Sequence, residues 1–211
     1  FSIQLKSALE YKVSFLLTAL GQFFVSFAGF LSVFFMFQQF HTVDGFTYQQ
    51  VLLCFSVVLS AFSIAELFAA GFKGFSHVVS NGEFDRIMLR PAGTLFQTFA
   101  SKIEFSSVGR LLQAVVILAY AIWSSGIRWT IQGVLLLLFM ILCGIFLFMG
   151  LYIIYATLCF FTIEGLEFMN IFTDGGREFG RYPAGIYGSS ILKFLTFIVP
   201  LACFQYYPLL I

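Results

Sequence analysis

The chain has 211 residues, of which 60% are hydrophobic, 20% are aromatic and only 10% are charged. Its mean hydropathy of +0.97 excludes a water-soluble domain, because a chain of this length cannot bury so much apolar surface. A net charge of +1 gives no indication of a nucleic-acid partner. Long apolar runs separated by short polar segments predict an all-α, polytopic membrane protein rather than a β-barrel.

The first predicted elements are an interfacial helix and two membrane spans. Residues 1–12 mix apolar and charged side chains, which is typical of an amphipathic helix lying in the membrane interface. The uncharged run over residues 13–37 exceeds the ~20 residues that a spanning helix needs. A second span is predicted over residues 48–72, where Glu66 is the only charged residue.

Three further spans are predicted after residue 102. The third covers residues 106–127, and Arg110 near its start is expected to reach the interface. Residues 129–163 exceed one perpendicular span but leave no room for two, so one tilted or bent helix is predicted. Beyond Lys193 the prolines predict a kinked or broken fifth span. Because the apolar sequence stops at Ile211, the last of six spans is expected to be missing or truncated.

The distribution of cations predicts the orientation. If the N-terminus is cytoplasmic, ten cations lie on that side and only Arg128 lies on the other. This asymmetry obeys the positive-inside rule, so we expect a multi-pass plasma-membrane protein with its N-terminus and residues 73–102 in the cytoplasm. The ten cations are Lys6, Lys12, Lys73, Arg86, Arg90, Lys102, Arg110, Arg177, Arg181 and Lys193.

A short helix is predicted inside the polar segment over residues 73–102. Ser80 and Glu83 have the spacing of a capping box, so the helix is expected to begin there. Pro91 disfavours helical geometry at the residue before it and therefore predicts the end. Phe84, Ile87 and Met88 share one face of such a helix.

That amphipathic helix needs a surface to cover its apolar face. Either the lipid headgroup region or a groove on another protein is suitable. Glu83 and Asp85 fit poorly against an anionic inner leaflet, which favours the protein partner.

The sequence around this helix resembles a known family. The run GEFDRIMLRP over residues 82–91 resembles the first cytoplasmic loop of ABC-2 type transporter permeases, closest to a bacterial subgroup related to daunorubicin-type and other multidrug exporter permeases. The run RYP over residues 181–183 and the proline-containing stretch over residues 197–208 are similar to the same subgroup.

The resemblance implies a permease subunit with six spans, paired with a second permease subunit in a homo- or heterodimer. It also implies two cytoplasmic ABC ATPase subunits that dock on a coupling helix in the first loop. The docking set is then Glu83, Phe84, Asp85, Arg86, Ile87, Met88 and Arg90. Export of an amphipathic, lipid-like or drug-like substrate is the implied activity.

The chain has no GxxxxGK[ST] phosphate loop, so no ATP site of its own is expected. ATP and Mg²⁺ are expected on the partner ATPase, and no catalytic residue, cofactor or metal is expected in this chain. Membrane lipid is the other expected contact.

Several polar and aromatic residues have two open interpretations. Glu66 is either a proton- or substrate-binding carboxylate or a structural partner of Lys73 or the loop. Arg177, Glu178 and Arg181 are either a secondary docking site or anchors for the span ends. Glu66, Phe55 and Phe62 are also candidates for a substrate path, and the pair at residues 175–176 is expected to form a turn below the membrane.

Two other functions compete with ATP-driven export. A substrate-binding membrane module of an energy-coupled importer has a similar size and span number. It is not expected to carry its own coupling helix, because a separate scaffold contacts the ATPases. An intramembrane enzyme is disfavoured, because the spans carry no Ser/His pair, HExxH motif or paired aspartates at catalytic spacing.

Overall fold

A computed structural model describes residues 10, 12–40, 42, 45–125, 130–162, 170–182 and 184–205. Within those ranges the regular structure is helical and contains no strands, which confirms the all-α prediction. The described helices, in chain order, are α1 (Lys12–Gln39), α2 (Tyr48–Lys73), α3 (Phe75–Ser80), α4 (Glu83–Met88), α5 (Thr94–Ser101), α6 (Ser107–Ser124), α7 (Ile131–Thr162), α8 (Asn170–Phe179), a 3₁₀ helix (Ala184–Tyr187), α9 (Ser189–Phe197) and α10 (Leu201–Gln205).

Four of these helices are long and apolar enough to cross a membrane: α1, α2 with its continuation α3, α6 and α7. Their positions agree with the first four predicted spans. The fifth span was predicted to be kinked or broken, and among the described residues it is divided into the short helices α9 and α10 on either side of Pro200. Proline has no backbone N–H for the helical ladder, which explains the break.

Helix α2 forms the centre of the bundle. In its most apolar stretch 83% of the residues are buried, compared with 17% in α1 and 22% in α7. Glycines bring the neighbouring spans close: a Cβ built at Gly144 of α7 would lie 2.7 Å from the Ala61 Cβ of α2. At the crossing of α1 and α6, a Cβ at Gly109 would lie 2.8 Å from the Ala19 carbonyl oxygen.

Helices α8 and α9 form a hairpin. The rings of Phe172 and Phe194 stack with centroids 6.3 Å apart, and the Tyr187 hydroxyl donates to the Phe179 carbonyl over 3.2 Å. The start of α8 therefore faces the end of α9, so the two helices run antiparallel.

The hairpin packs against the bundle. A Cβ at Gly180, just after α8, would meet the side chain of Val58 near the middle of α2. Nearby, the Tyr182 and Ser32 hydroxyl oxygens are 3.0 Å apart, which ties the hairpin to α1. Gln205 of α10 donates to the Tyr182 carbonyl over 2.7 Å.

The chain around residues 175–176 is therefore helical rather than a turn. Gly175 and Gly176, which were expected to form a turn, lie within α8, and Gly176 is buried against Phe148 and Leu201. Small residues permit this close approach to the spans. The prediction of a turn was wrong because the pair continues the helix, and Gly176 allows its close contact with α7 and α10.

Some predictions fall outside the described residues. They concern most of the interfacial helix over residues 1–12, together with Arg128, Pro183 and the apolar C-terminal end over residues 206–211.

Candidate functional site

The predicted coupling helix exists as α4, but it does not begin with a capping box. Ser80 is the last residue of α3, and its Oγ donates back to the His77 carbonyl over 3.2 Å. The N-cap of α4 is Gly82, whose φ of 70° lies in the left-handed region that glycine adopts easily. The capping prediction was wrong because a reversal at Gly82 separates Ser80 from the helix that it was expected to cap.

The predicted apolar face of α4 is divided between the bundle and the surface. Phe84 is half-buried, with its ring 5.5 Å from that of Phe75 on α3 and 5.3 Å from that of Phe160 on α7. Met88 is 55% exposed and Leu89, which follows it, is 86% exposed. Phe84 thus anchors the helix, and the next turn presents the free apolar surface.

The charged residues of this helix are exposed. Glu83 and Asp85 lie in the first turn and Arg86 in the last, an order that suits the helix dipole. None of them, nor Arg90, forms an ion pair within the described part of the chain.

Helix α5 extends the exposed surface and fixes it to the bundle. Phe96 is 72% exposed. The Gln97 amide donates to the Ala92 carbonyl over 2.6 Å and to the Ile87 carbonyl over 3.1 Å, which joins α5 to α4. On the other side of α5, the Thr98 carbonyl oxygen packs against Gly71 of α2.

A second polar region lies within the bundle, around Glu66. The Arg110 Nη1 is 2.9 Å from Glu66 Oε2, and both side chains are nearly inaccessible. Lys73 Nζ is 3.2 Å from the other carboxylate oxygen, and the Ser107 hydroxyl donates to Oε2 over 2.9 Å. Gln22 of α1 accepts from Arg110 Nη2. The Glu66 carboxylate is thus bound by α2 and α6 side chains, which agrees with the structural interpretation.

Pairing of Glu66 with Lys73 was one of the interpretations that the sequence left open, but Arg110 was not among the expected partners. Arg110 was expected to reach the interface, yet it is 1% exposed and points toward Glu66. The available signal was that Glu66 and Arg110 are isolated charges at the two span ends that flank the polar segment over residues 73–102.

The three charged residues at the end of α8 form a compact group. Arg177 and Arg181 both bind the Glu178 carboxylate, over 2.9 and 2.6 Å. The Arg177 guanidinium also lies 5.0 Å from the Phe62 ring centroid, and Arg181 packs against Gly29 of α1. These contacts agree with the anchoring interpretation, and secondary docking stays a prediction.

The candidate substrate-path residues lie in the core. Phe55 is 3% exposed and Phe62 is 0% exposed, with the Phe62 ring edge-on to Phe148 at 5.2 Å. Glu66 lines two adjoining cavities. A role in substrate passage stays a prediction.

These features agree with a comparison against protein families. A family model described as "ABC-2 family transporter protein" matches residues 23–211, which is most of the chain. The chain belongs to the ABC-2 transporter family. This ABC-2 permease is therefore a multi-pass membrane component of an ABC transporter, and members of the family generally work with ATPase subunits.

The daunorubicin-type subgroup stays a prediction. Comparison with curated proteins and with solved structures found no match.

Proposed function

We propose that this ABC-2 permease exports an amphipathic, lipid-like or drug-like substrate, and that a separate ATPase docks on the coupling helix α4 to drive it. In this proposal the protein lies in the plasma membrane with its N-terminus in the cytoplasm. It works as a dimer with a second permease subunit, and ATP and Mg²⁺ bind to the ATPase.

The observation that supports this proposal most strongly is the exposed end of α4. Leu89, at 86% exposure, and Met88 are free apolar side chains beside unpaired charges. Desolvated apolar residues at the centre of an interface supply most of its affinity, and surrounding charges set its specificity. Exposure to water is unfavourable for these two apolar side chains, whereas a groove on an ATPase would bury them.

The attachment of α4 supports a role in transmitting force. Phe84 contacts Phe75 of α3, which continues α2, and Phe160 near the end of α7. A displacement of α4 by closure of the ATPase dimer would therefore be passed to two spans at once. Such rigid-body movement of packed helices is a common way to switch between conformational states.

The test is co-expression of the permease with a candidate ABC ATPase subunit that has no membrane spans of its own, followed by purification through a tag on the permease. Leu89→Asp places a charge in the proposed interface, so we expect at least about a tenfold loss of bound ATPase at unchanged permease level in the membrane. Phe40→Asp is the matched control. Phe40 is also an exposed apolar residue, at 60%, but it follows the C-terminal end of α1, away from α4 in the chain.

Three results would separate the possibilities. A direct complex of two permeases with two ATPases, weakened by Leu89→Asp but not by Phe40→Asp, supports the proposal. A complex that forms only with an additional membrane scaffold would indicate the importer arrangement. Full ATPase binding and substrate-stimulated ATP hydrolysis in the double variant Met88→Asp/Leu89→Asp would overturn docking through α4.

A further inference from the structure

The space beside the Glu66 ion pair is a cavity of about 440 Å³ between α1, α2, α6 and α8. A second cavity of about 390 Å³ adjoins it and shares Thr18, Gln22, Glu66 and Lys73. The α1 side of the larger cavity is lined by small or polar residues together with Val25. It is large enough for a phosphate or carboxylate group with part of the molecule that carries it.

The larger cavity has an excess of positive charge. Three cations line it, namely Lys73, Arg110 and Arg177, against the two carboxylates of Glu66 and Asp174. Glu178, which binds Arg177 from outside the lining, is shared with Arg181, so one positive charge stays in excess. The smaller cavity is balanced, since Lys73 and Lys102 are opposed there by Glu66 and Glu104. The Arg110 and Arg177 side chains are only 2% and 14% exposed, so their charges are weakly screened and an anion beside them would compensate them.

The guanidinium groups also have unused donors. The buried Nε atoms of Arg110 and Arg177 have no hydrogen-bond acceptor in the described part of the chain. The Arg110 side chain is only 2% exposed, so water does not solvate it freely. The two guanidiniums lie 5.2 and 5.0 Å from the centroid of the same Phe62 ring, which holds both in fixed positions at the cavity. Preorganised guanidiniums are well suited to phosphate and carboxylate oxygens.

Asp174 is the residue through which the charge of this cavity can be changed without breaking a described ion pair. It lines the cavity but forms no ion pair with another described residue, whereas Glu66 binds both Arg110 and Lys73. Its carboxylate therefore opposes an incoming anion without being needed for a described salt bridge.

The cavity is reachable from outside the bundle. The Lys73 side chain is 48% exposed, so the cavity meets the surface at the end of α2. Along α1 it is bordered by Val25, which is 54% exposed and lies next to Phe24 on the outer apolar surface. An amphiphile could place its charged end in the cavity and its apolar part on this surface.

We propose that the cavity binds an oxyanion, a phosphate or carboxylate group, held by Arg177, Lys73 and the neighbouring Arg110. The group is carried either by a lipid-like amphiphile or by a free anion. This site goes beyond the transport proposal, because binding requires neither an ATPase nor a direction of transport.

The test uses the purified full-length permease in a neutral detergent, with binding measured by isothermal titration calorimetry. The probes are inorganic phosphate, dihexanoyl phosphatidylglycerol and, as the neutral-headgroup control, dihexanoyl phosphatidylcholine. Saturable binding of an anionic probe but not of phosphatidylcholine is expected. Binding of phosphate indicates a free-anion site, and binding of phosphatidylglycerol alone indicates that the apolar part is also recognised.

Two variants change the cavity charge in opposite directions. Removing the opposing carboxylate with Asp174→Asn should tighten anion binding by about tenfold, because charge interactions are strong in a weakly screened cavity. Arg177→Gln removes a donor and a charge and should weaken binding by about tenfold or more. Lys193→Gln is the control, since it removes an exposed cation of α9 that lies outside the cavity lining.

Opposite shifts in the two cavity variants, with no change in the control, would support the site, because misfolding can only weaken binding. The absence of saturable binding by either anion would overturn it. So would unchanged affinity in both cavity variants, or the same shift in Lys193→Gln as in Arg177→Gln.

Discussion

The charge cluster around Glu66 and the short helix α4 use the same residue types in opposite ways. In the cluster, Glu66 and Arg110 are buried and bound to each other at 2.9 Å. In α4, Glu83 and Arg86 lie on one short helix, are exposed, and form no ion pair among the described residues. The same chemistry is therefore committed to internal structure in one region and left available in the other.

The difference separates stability from recognition. A buried charge that loses its partner stays desolvated, so its loss is strongly destabilising. An exposed charge interacts with water and salt, so its loss has little effect on the isolated chain. Substitutions in the cluster should consequently lower stability, and substitutions at the end of α4 should change only what the chain binds.

The largest effect is expected from Glu66→Gln. It leaves the Arg110 guanidinium buried without a counter-charge, which should cost about 3–5 kcal/mol in the free energy of unfolding. Glu83→Gln, the matched exposed control, should cost less than about 0.5 kcal/mol. Denaturation of the purified variants measures both.

The double variant Glu66→Met/Arg110→Met sharpens the same comparison. It removes both charges and should recover much of the lost stability, because an apolar pair needs no solvation. Equal stabilities for Glu66→Gln and Glu83→Gln would contradict the assignment of the buried pair.

A smaller loss is expected from Gly71→Val. The side chain would collide with the Thr98 carbonyl oxygen where α5 packs on α2, at a cost of about 1–3 kcal/mol. Gly74→Val is the control, because a Cβ at Gly74 meets nothing within 4 Å. Limited proteolysis of the first loop should show faster cleavage in Gly71→Val only. Equal cleavage of both variants would argue against the contact between α2 and α5.

Phe84→Ala should separate anchoring from docking within α4. The loss of ring contacts with Phe75 and Phe160 should reduce stability by about 1–2 kcal/mol. Leu89→Ala should leave thermal stability unchanged, because Leu89 is 86% exposed. If Leu89→Ala lowered the melting temperature as much as Phe84→Ala, the division of the helix would be wrong.

The smallest effect is expected from Ser80→Ala. A true N-cap serine would contribute about 1 kcal/mol, but the Ser80 hydroxyl donates to the His77 carbonyl rather than to α4. We expect a change below about 0.5 kcal/mol in the free energy of unfolding, which is typical of exposed substitutions. A loss of about 1 kcal/mol in the free energy of unfolding would instead support Ser80 as the N-cap of α4, as the sequence predicted.

The sequence was sufficient for the features that depend on composition along the chain. Uncharged runs longer than a bilayer located α1, α2, α6 and α7, because hydrophobic length directly limits where a helix can lie. The amphipathic pattern ahead of Pro91 located α4 to within two residues of its observed end at Met88.

The features that the sequence could not predict depend on which residues meet in space. A turn was expected at residues 175–176, yet this segment is helical, and Arg177 and Arg181 share the Glu178 carboxylate where they pack against the bundle. Arg110 was expected at the interface because its partner lies on another helix, 44 positions away in the chain. The cavity beside Glu66 and Asp174 likewise exists only when α1, α2, α6 and α8 come together.

The most direct test of the central claim is a site-specific photocrosslinker introduced at position 89 in cells that co-express the ATPase. The account predicts a crosslink between position 89 and the ATPase. It predicts none from position 40, the matched exposed site just after the C-terminal end of α1. It would be contradicted if position 89 crosslinked only to lipid, or if position 40 captured the ATPase instead.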